Sequence, residues 1–498
     1  MIELTLVLVA TAALVVMLDW RKGLAACVLI GIVQDPLRKL APGQPVYYVL
    51  LVGVIFGVTL VRAALANVRL DPGVIHGWRK NLRLPFSFFI AVVFAQALHT
   101  LVAYNSFFMA GIGLLVWLSP IPAVVLSYQF AIRRGLQGVR RLMVLYVLIA
   151  LVALSGVYLE YAGFEWRTLG EVGEGLVIYD MGTILKAHSG FFRASEMAAW
   201  HAATIACFVF ILSVGKRPTL LRIVAALLLI GVLISLGMLT GRRKMLVEVT
   251  IFLCVYGILI ALLQKGRARL ALALGAVALV GYFGIVGLVA PDPVQTPSSR
   301  SARIDNPNGM QGYAARGRTV VQDLPQRVSD LGLQPIVYVV DRFGWLGAGL
   351  GTGSQGTNQV TAAAGINRWA AEGGLGKIAM ELGIPGLLVL LWLGVALFKH
   401  LRKQLAAVAQ LSTQHMRMAY GLVAFLVANL ATFSIATQAY NDLFILVILG
   451  WSTGFLLAMP VLAAKGDPSI RRRNPQDTIP FGLPPGYRHP SAHVASFR

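Results

Sequence analysis

The chain has 498 residues, of which 57% are hydrophobic and only 13% charged, and its mean hydropathy is +0.74. Ordinary soluble domains carry roughly 25% charged residues, so a soluble globular enzyme is excluded, and the formal net charge of +22 fits basic cytoplasmic loops better than nucleic-acid binding. Cys27, Cys207 and Cys254 all lie inside apolar runs; they staple no hydrophilic loop and fit no metal-ligand spacing.

Thirteen apolar runs follow one another, most of them near the roughly 20 residues needed to cross a hydrocarbon core about 30 Å thick. The first, 3–18, has no basic residue before it and no small-residue cleavage site, and reads as a retained span rather than a removed signal peptide. The second, 23–34, is short and runs into "QDPLRKLAPG", as a re-entrant or tilted segment would. Spans at 46–66, 84–103, 107–130 and 142–161 lead to a polar segment, 162–195. Four more, 196–214, 219–239, 244–263 and 268–290, precede a long segment, 291–374.

That long segment opens with "PDPVQTPSSRSARIDNPNG", whose composition is that of a flexible stretch. It becomes periodic in "VVQDLPQRVSDLGLQPIVYVVDRFGWLG", which predicts one or two short helices on a membrane surface. The glycine-rich "GAGLGTGSQGT" follows; it lies in no βαβ context and predicts a tight backbone path rather than a nucleotide site. Spans at 375–398, 417–436 and 442–463 complete a transmembrane domain, 1–463, and 464–498 reads as a disordered basic tail. The expected fold is an all-α polytopic membrane protein with about 13 transmembrane helices and a partly helical loop between spans 10 and 11.

Charge sets the orientation. The connections "VRLDPGVIHGWRKNLR", "IRRGLQGVRR", "GKRPTLLR" and "QKGRAR" fall in one alternating phase with the Arg471–Arg473 tail, which is the cytoplasmic phase. The N-terminus is then outside and the C-terminus inside, as for a multi-pass protein of a bacterial inner membrane. One loop breaks the rule. "LTGRRKMLVEV" places Arg242, Arg243 and Lys244 on the outer side, with Glu248 about one turn into the next span. Ionisable groups at membrane depth point to function, although Glu248, four residues after Lys244, could equally be its helix-face partner.

Outer-side arginines are the natural ligands of an anionic lipid head group, because a guanidinium binds phosphate oxygens bidentately and stays charged. Arg193, Arg242 and Arg243 stand at span junctions, and Arg316, Arg318 and Arg342 lie in the long loop. Glu372, at the end of that loop, and Glu381, inside the next span, are the candidate proton acceptors; Glu381 could instead pair with Lys377, four residues earlier. His201 could donate to a phosphate or simply sit satisfied in the core.

In order along the chain, "FFRASEMAAWHAA", "LTGRRKMLVEV", "RFGWLGAGLGT" and "AEGGLGKIAMELGIPGLLVLLW" resemble the sequence elements of the O-antigen polymerase and ligase superfamily over roughly residues 190–400. The resemblance implies a C-type membrane glycosyltransferase that takes its glycan from undecaprenyl pyrophosphate on the periplasmic side, with neither metal, cofactor nor nucleotide sugar. It implies further that Arg193, Arg242, Arg243, Arg316, Arg318 and Arg342 hold the pyrophosphate, with Lys244, Glu248 and His201 in support. Residues 291–374 contain no histidine, whereas the ligase branch carries one in this loop. That favours a polysaccharide polymerase, with a ligase as the alternative and a chain-length regulator or export components as partners. A transporter or flippase of lipid-linked saccharide is the alternative of another class.

Overall fold

The computed structural model describes residues 2–172, 177–180, 183–214, 219–242, 244–263, 329–367 and 369–466. The span expected at 268–290, most of the tail, and Arg243, Arg316 and Arg318 lie outside the described residues. The first half comprises α1 (Ile2–Leu18), α2 (Gly23–Leu40), α3 (Leu51–Leu65, entered through a 3-10 turn at Val46–Leu50), the one-turn α4 (Trp78–Asn81), α5 (Arg83–Tyr104), α6 (Phe107–Leu118) and α7 (Pro120–Tyr161). A hairpin of β1 (Val177–Asp180) and β2 (Thr183–Lys186) leads to α8 (Ser195–Ser213), α9 (Leu220–Leu239) and α10 (Lys244–Leu263). The remainder comprises α11 (Gln334–Phe343), the short α12 (Asn358–Ala363), α13 (Gly374–Leu411), α14 (Thr413–Ile435) and α15 (Leu443–Gly466).

Eight helices among the described residues are long and apolar enough to cross a membrane, and two shorter apolar helices accompany them. Helical turns run through "IRRGLQGVRR", but Gly135, at φ 68° and ψ −176°, is non-helical and divides α7 into two helices between the two expected spans. One expected connection is not a loop: the basic stretch after 398 continues α13 to Leu411, whose break lies nearer its start at Gly383, two residues before Pro385. Charged residues on an exposed helix face need no loop to reach water, so hydropathy alone places the boundary too early. Among the described residues one short hairpin accompanies the otherwise helical architecture. Its strands pair antiparallel from Val177 with Lys186 to Asp180 with Thr183, and the β-branched residues of "VIYD" and "TILK" suit a pleated strand.

The helices differ sharply in enclosure. The apolar window of α8 is 83% buried and that of α15 is 89%, against 28% for α5, which makes α8 and α15 the hub. Small residues permit the close approach of α7 and α15: a Cβ at Gly454 would lie 2.0 Å from Ser127 Oγ, and one at Gly450 would lie 2.6 Å from Ala123 Cβ.

The connections segregate to two ends. At one, Arg134 pairs with Asp19 at 3.2 Å, Arg133 covers Trp20, and Asn81 bonds His400 at 3.0 Å. At the other, residues 35–50, 187–194, 240–242, 344–373 and 436–442 converge.

Candidate functional site

The second end holds a cleft of about 760 Å³. Its apolar lining includes Val46, Tyr47 and Leu50 before α3 and Phe108, Ile112 and Leu115 on α6. Its polar lining includes Arg38, Arg193, Glu196, Glu372, Asn441 and Asp442, and Gly353 and Gly356 also border it. Ser106 caps the N-terminus of α6, accepting from Met109 N at 3.3 Å, and so starts the helix that supplies Phe108, Ile112 and Leu115.

Arg193 is locked. Its Nη1 donates to Asp35 Oδ1 at 3.2 Å, its Nη2 to Asp442 Oδ2 at 2.5 Å, and its backbone N–H to Asp35 Oδ2 at 3.1 Å. Asp442 also caps α15 by accepting from Ile445 N at 2.9 Å. Both carboxylates are buried, so the guanidinium is a strut joining α2, the segment before α8, and α15. Burial would pull its pKa down, but Asp442 and Asp35 outweigh that and raise it. Burial raises Asp35 above the usual carboxylate range, against the opposing pull of Arg193. Just beyond Asp35, Lys39 Nζ donates to Gly190 O at 2.7 Å, and burial lowers its pKa to about 8.

Arg242 is also engaged, with Nη2 2.6 Å from Glu196 Oε1 and Nε donating to Ser195 Oγ at 3.0 Å. Lys244 donates to Gln438 from the same turn. Glu248, 1% exposed, accepts from Asn429 Nδ2 at 3.0 Å, and Asn429 Oδ1 accepts from Trp200 Nε1 and Tyr440 Oη at 2.8 and 3.1 Å. That network joins α8, α10, α14 and the turn before α15. His201 is buried, bonded to Tyr146 Oη at 2.6 Å and stacked on Phe192, and it does not line the cleft. It is a satisfied core residue.

The two expected carboxylates part company. Glu381 is fully buried and takes three donors: Trp117 Nε1 at 2.6 Å, Gly353 N at 2.9 Å and Ser354 Oγ at 2.9 Å. It pins the glycine-rich segment against α13. Lys377, its sequence neighbour, reaches Asn441. The glycines explain the tight path. Gly351 has φ 84° and a Cβ there would stand 2.1 Å from Met109 O.

Glu372 is instead exposed in the cleft, and among the described residues its carboxylate has no hydrogen-bond or ion-pair partner. Its backbone is fixed, since its carbonyl accepts from Thr437 N at 2.9 Å. Its turn seats closely because residue 373 is glycine; a Cβ there would lie 1.8 Å from Leu331 O.

Arg342 is exposed at the end of α11, away from the cleft lining. Among the described residues no three His, Cys, Asp or Glu side chains gather as a metal site.

No family model and no curated protein matches this chain. A lining that combines bulky apolar side chains with charged ones suits an amphipathic ligand with a lipid tail and a polar head, and the Glu372 carboxylate is open to such a ligand. The cleft also contains residues that sequence reasoning passed over, Arg38, Asn441 and Asp442, with Asp35 behind them as a partner of Arg193. The available signal was their place. "QDPLRK" and "YND" stand in the same phase of the span alternation as Arg193, and opposite charges gathered at one membrane face find one another.

Proposed function

We propose that this protein is a membrane glycosyltransferase that joins saccharide repeat units carried on undecaprenyl pyrophosphate, at the periplasmic side of a bacterial inner membrane. The cleft carries this reading: its lining combines apolar side chains suited to a polyprenyl chain with charged ones, among them the Glu372 carboxylate, which has no partner among the described residues. The alternation of basic connections along the sequence supports a periplasmic position for that cleft.

In the proposed reaction an acceptor sugar hydroxyl attacks the anomeric carbon of the donor. The bond from that carbon to the pyrophosphate oxygen breaks, and the pyrophosphate leaves still attached to its lipid with the bonding electron pair. Glu372 takes the hydroxyl proton as the new glycosidic bond forms. Cationic donors in the polar lining stabilise the charge that grows on the leaving oxygen. Glu381 acts by positioning, through its hold on Gly353 and Ser354. Arg193 and Arg242, each engaged with carboxylates, keep the polar lining in shape.

The test is mass spectrometry of undecaprenyl-linked saccharides in cells lacking the gene. Single repeat units accumulating on the lipid are expected. Full-length polymer stranded on the lipid would point to ligation onto a final acceptor, and an unchanged lipid-linked pool would overturn glycosyl transfer.

A further inference from the structure

Arg193 and Arg242 have their guanidinium groups committed to carboxylates, which leaves open the question of what receives an anion in the cleft. Arg38 answers it. It lies on α2 one turn after Asp35, half-buried, and lines the cleft. Its Nε donates to Gln44 O at 3.0 Å, across the turn in which Gly43 and Gln44 both have positive φ, and this fixes the direction of the group. Its Nη1 and Nη2 make no hydrogen bond or ion pair among the described residues. Asp35, the nearest carboxylate on the same helix, is turned to Arg193 by two hydrogen bonds.

We infer that Arg38 is the phosphate-receiving residue of the cleft and binds a phosphate or pyrophosphate ester of an isoprenoid lipid through its two free Nη groups. The inference rests on the glycosyltransferase reading above for the identity of the lipid, and names the residue that holds its head group. A guanidinium held by Nε still presents parallel N–H groups that match two oxygens of a phosphate. The environment favours such a ligand, because burial and the neighbouring Arg193 both pull the Arg38 pKa down, a penalty that a bound anion offsets. The placement of the tail fits as well. The apolar lining includes Val46 and Tyr47, which are 61% exposed, a few residues beyond Arg38 on the same segment. Head group and chain would thus be held by one continuous stretch, 38–50.

The experiment uses the full chain in nanodiscs of neutral lipid, with farnesyl pyrophosphate as the lipid probe and inorganic pyrophosphate as competitor. Wild type is expected to bind farnesyl pyrophosphate, and Arg38→Ala to weaken binding by about tenfold to a hundredfold, the loss of hydrogen bonds to a charged group. The melting temperature of Arg38→Ala should be unchanged. Arg38→Lys should fold equally and restore only part of the affinity, and it serves as the test if the alanine variant is poorly folded. Inorganic pyrophosphate should compete only at much higher concentration, and equal potency would overturn the lipid-ester assignment. Unaltered farnesyl pyrophosphate affinity in both variants would overturn the role of Arg38 while leaving the proposed reaction standing. A wild type that binds neither probe would overturn both. Binding that depends on Arg38, in a protein with no transfer activity on lipid-linked repeat units, would support Arg38 and remove only the reaction.

Discussion

Arg193 and Glu372 line one cleft under opposite electrostatic conditions. Arg193 is enclosed, with Asp35 and Asp442 both spoken for by its guanidinium, whereas Glu372 stands exposed with its carboxylate unpartnered among the described residues. The same contrast divides Glu381 from Glu372, nine positions apart in one stretch. A buried charge survives only with its partners in place, so the paired groups hold the architecture. An open charge in a cleft is available to a ligand, which is why the proposed roles fall on Glu372 and Arg38.

The largest effect should come from breaking the enclosed side. Arg193→Ala strands two buried carboxylates and is expected to lower stability by about 3–5 kcal/mol, read as a fall in melting temperature of the detergent-solubilised protein. Removing the whole triad, by Arg193→Leu with Asp35→Asn and Asp442→Asn, should recover most of that loss. If the triple variant is as unstable as the single one, the strut is held by something other than charge pairing.

Glu372→Gln attacks the open side. Glycosyl transfer by the purified protein should fall by about 10²-fold or more, with melting temperature and farnesyl pyrophosphate binding unchanged. Loss of stability in place of activity would erase the contrast.

Glu381→Gln should behave like the enclosed group it is. One carboxylate oxygen becomes an amide NH₂ facing a donor, which costs about 1–3 kcal/mol. Thermal unfolding should register that, and the steady-state KM should change less than the melting temperature does. Gly351→Ala forces a side chain into a left-handed backbone against Met109 O and should cost about 1–3 kcal/mol. The smallest effect is expected from Tyr146→Phe, which removes one buried bond to His201 and about 1 kcal/mol, with transfer activity retained.

Several features of this organisation were legible along the chain. Long apolar runs became helices at 46–65, 83–104, 195–213 and 413–435, because a span is specified by the composition of its own 20 residues. Connections expected on one side do meet one another: Arg134 reaches Asp19, and Asn81 reaches His400. The glycine-rich stretch was readable as a close backbone path. Charge pairing was less so. Helix spacing suggested Lys244 as a partner for Glu248 and Lys377 for Glu381, and the structure instead joins Lys244 to Gln438, Glu248 to Asn429, Lys377 to Asn441 and Glu381 to the glycine segment. A neighbour four residues away is always in reach, but a partner from another helix wins when burial makes its hydrogen bond the better one.

By itself, then, the sequence determined that this is a membrane protein and where most of its helices run. Those properties are local sums of transfer free energy and loop charge. Only the tertiary structure decided which arginine is a strut and which is open, because Arg193 meets a carboxylate 249 residues away. Such a meeting depends on how helices pack around the hub of α8 and α15, and no spacing along the chain encodes it.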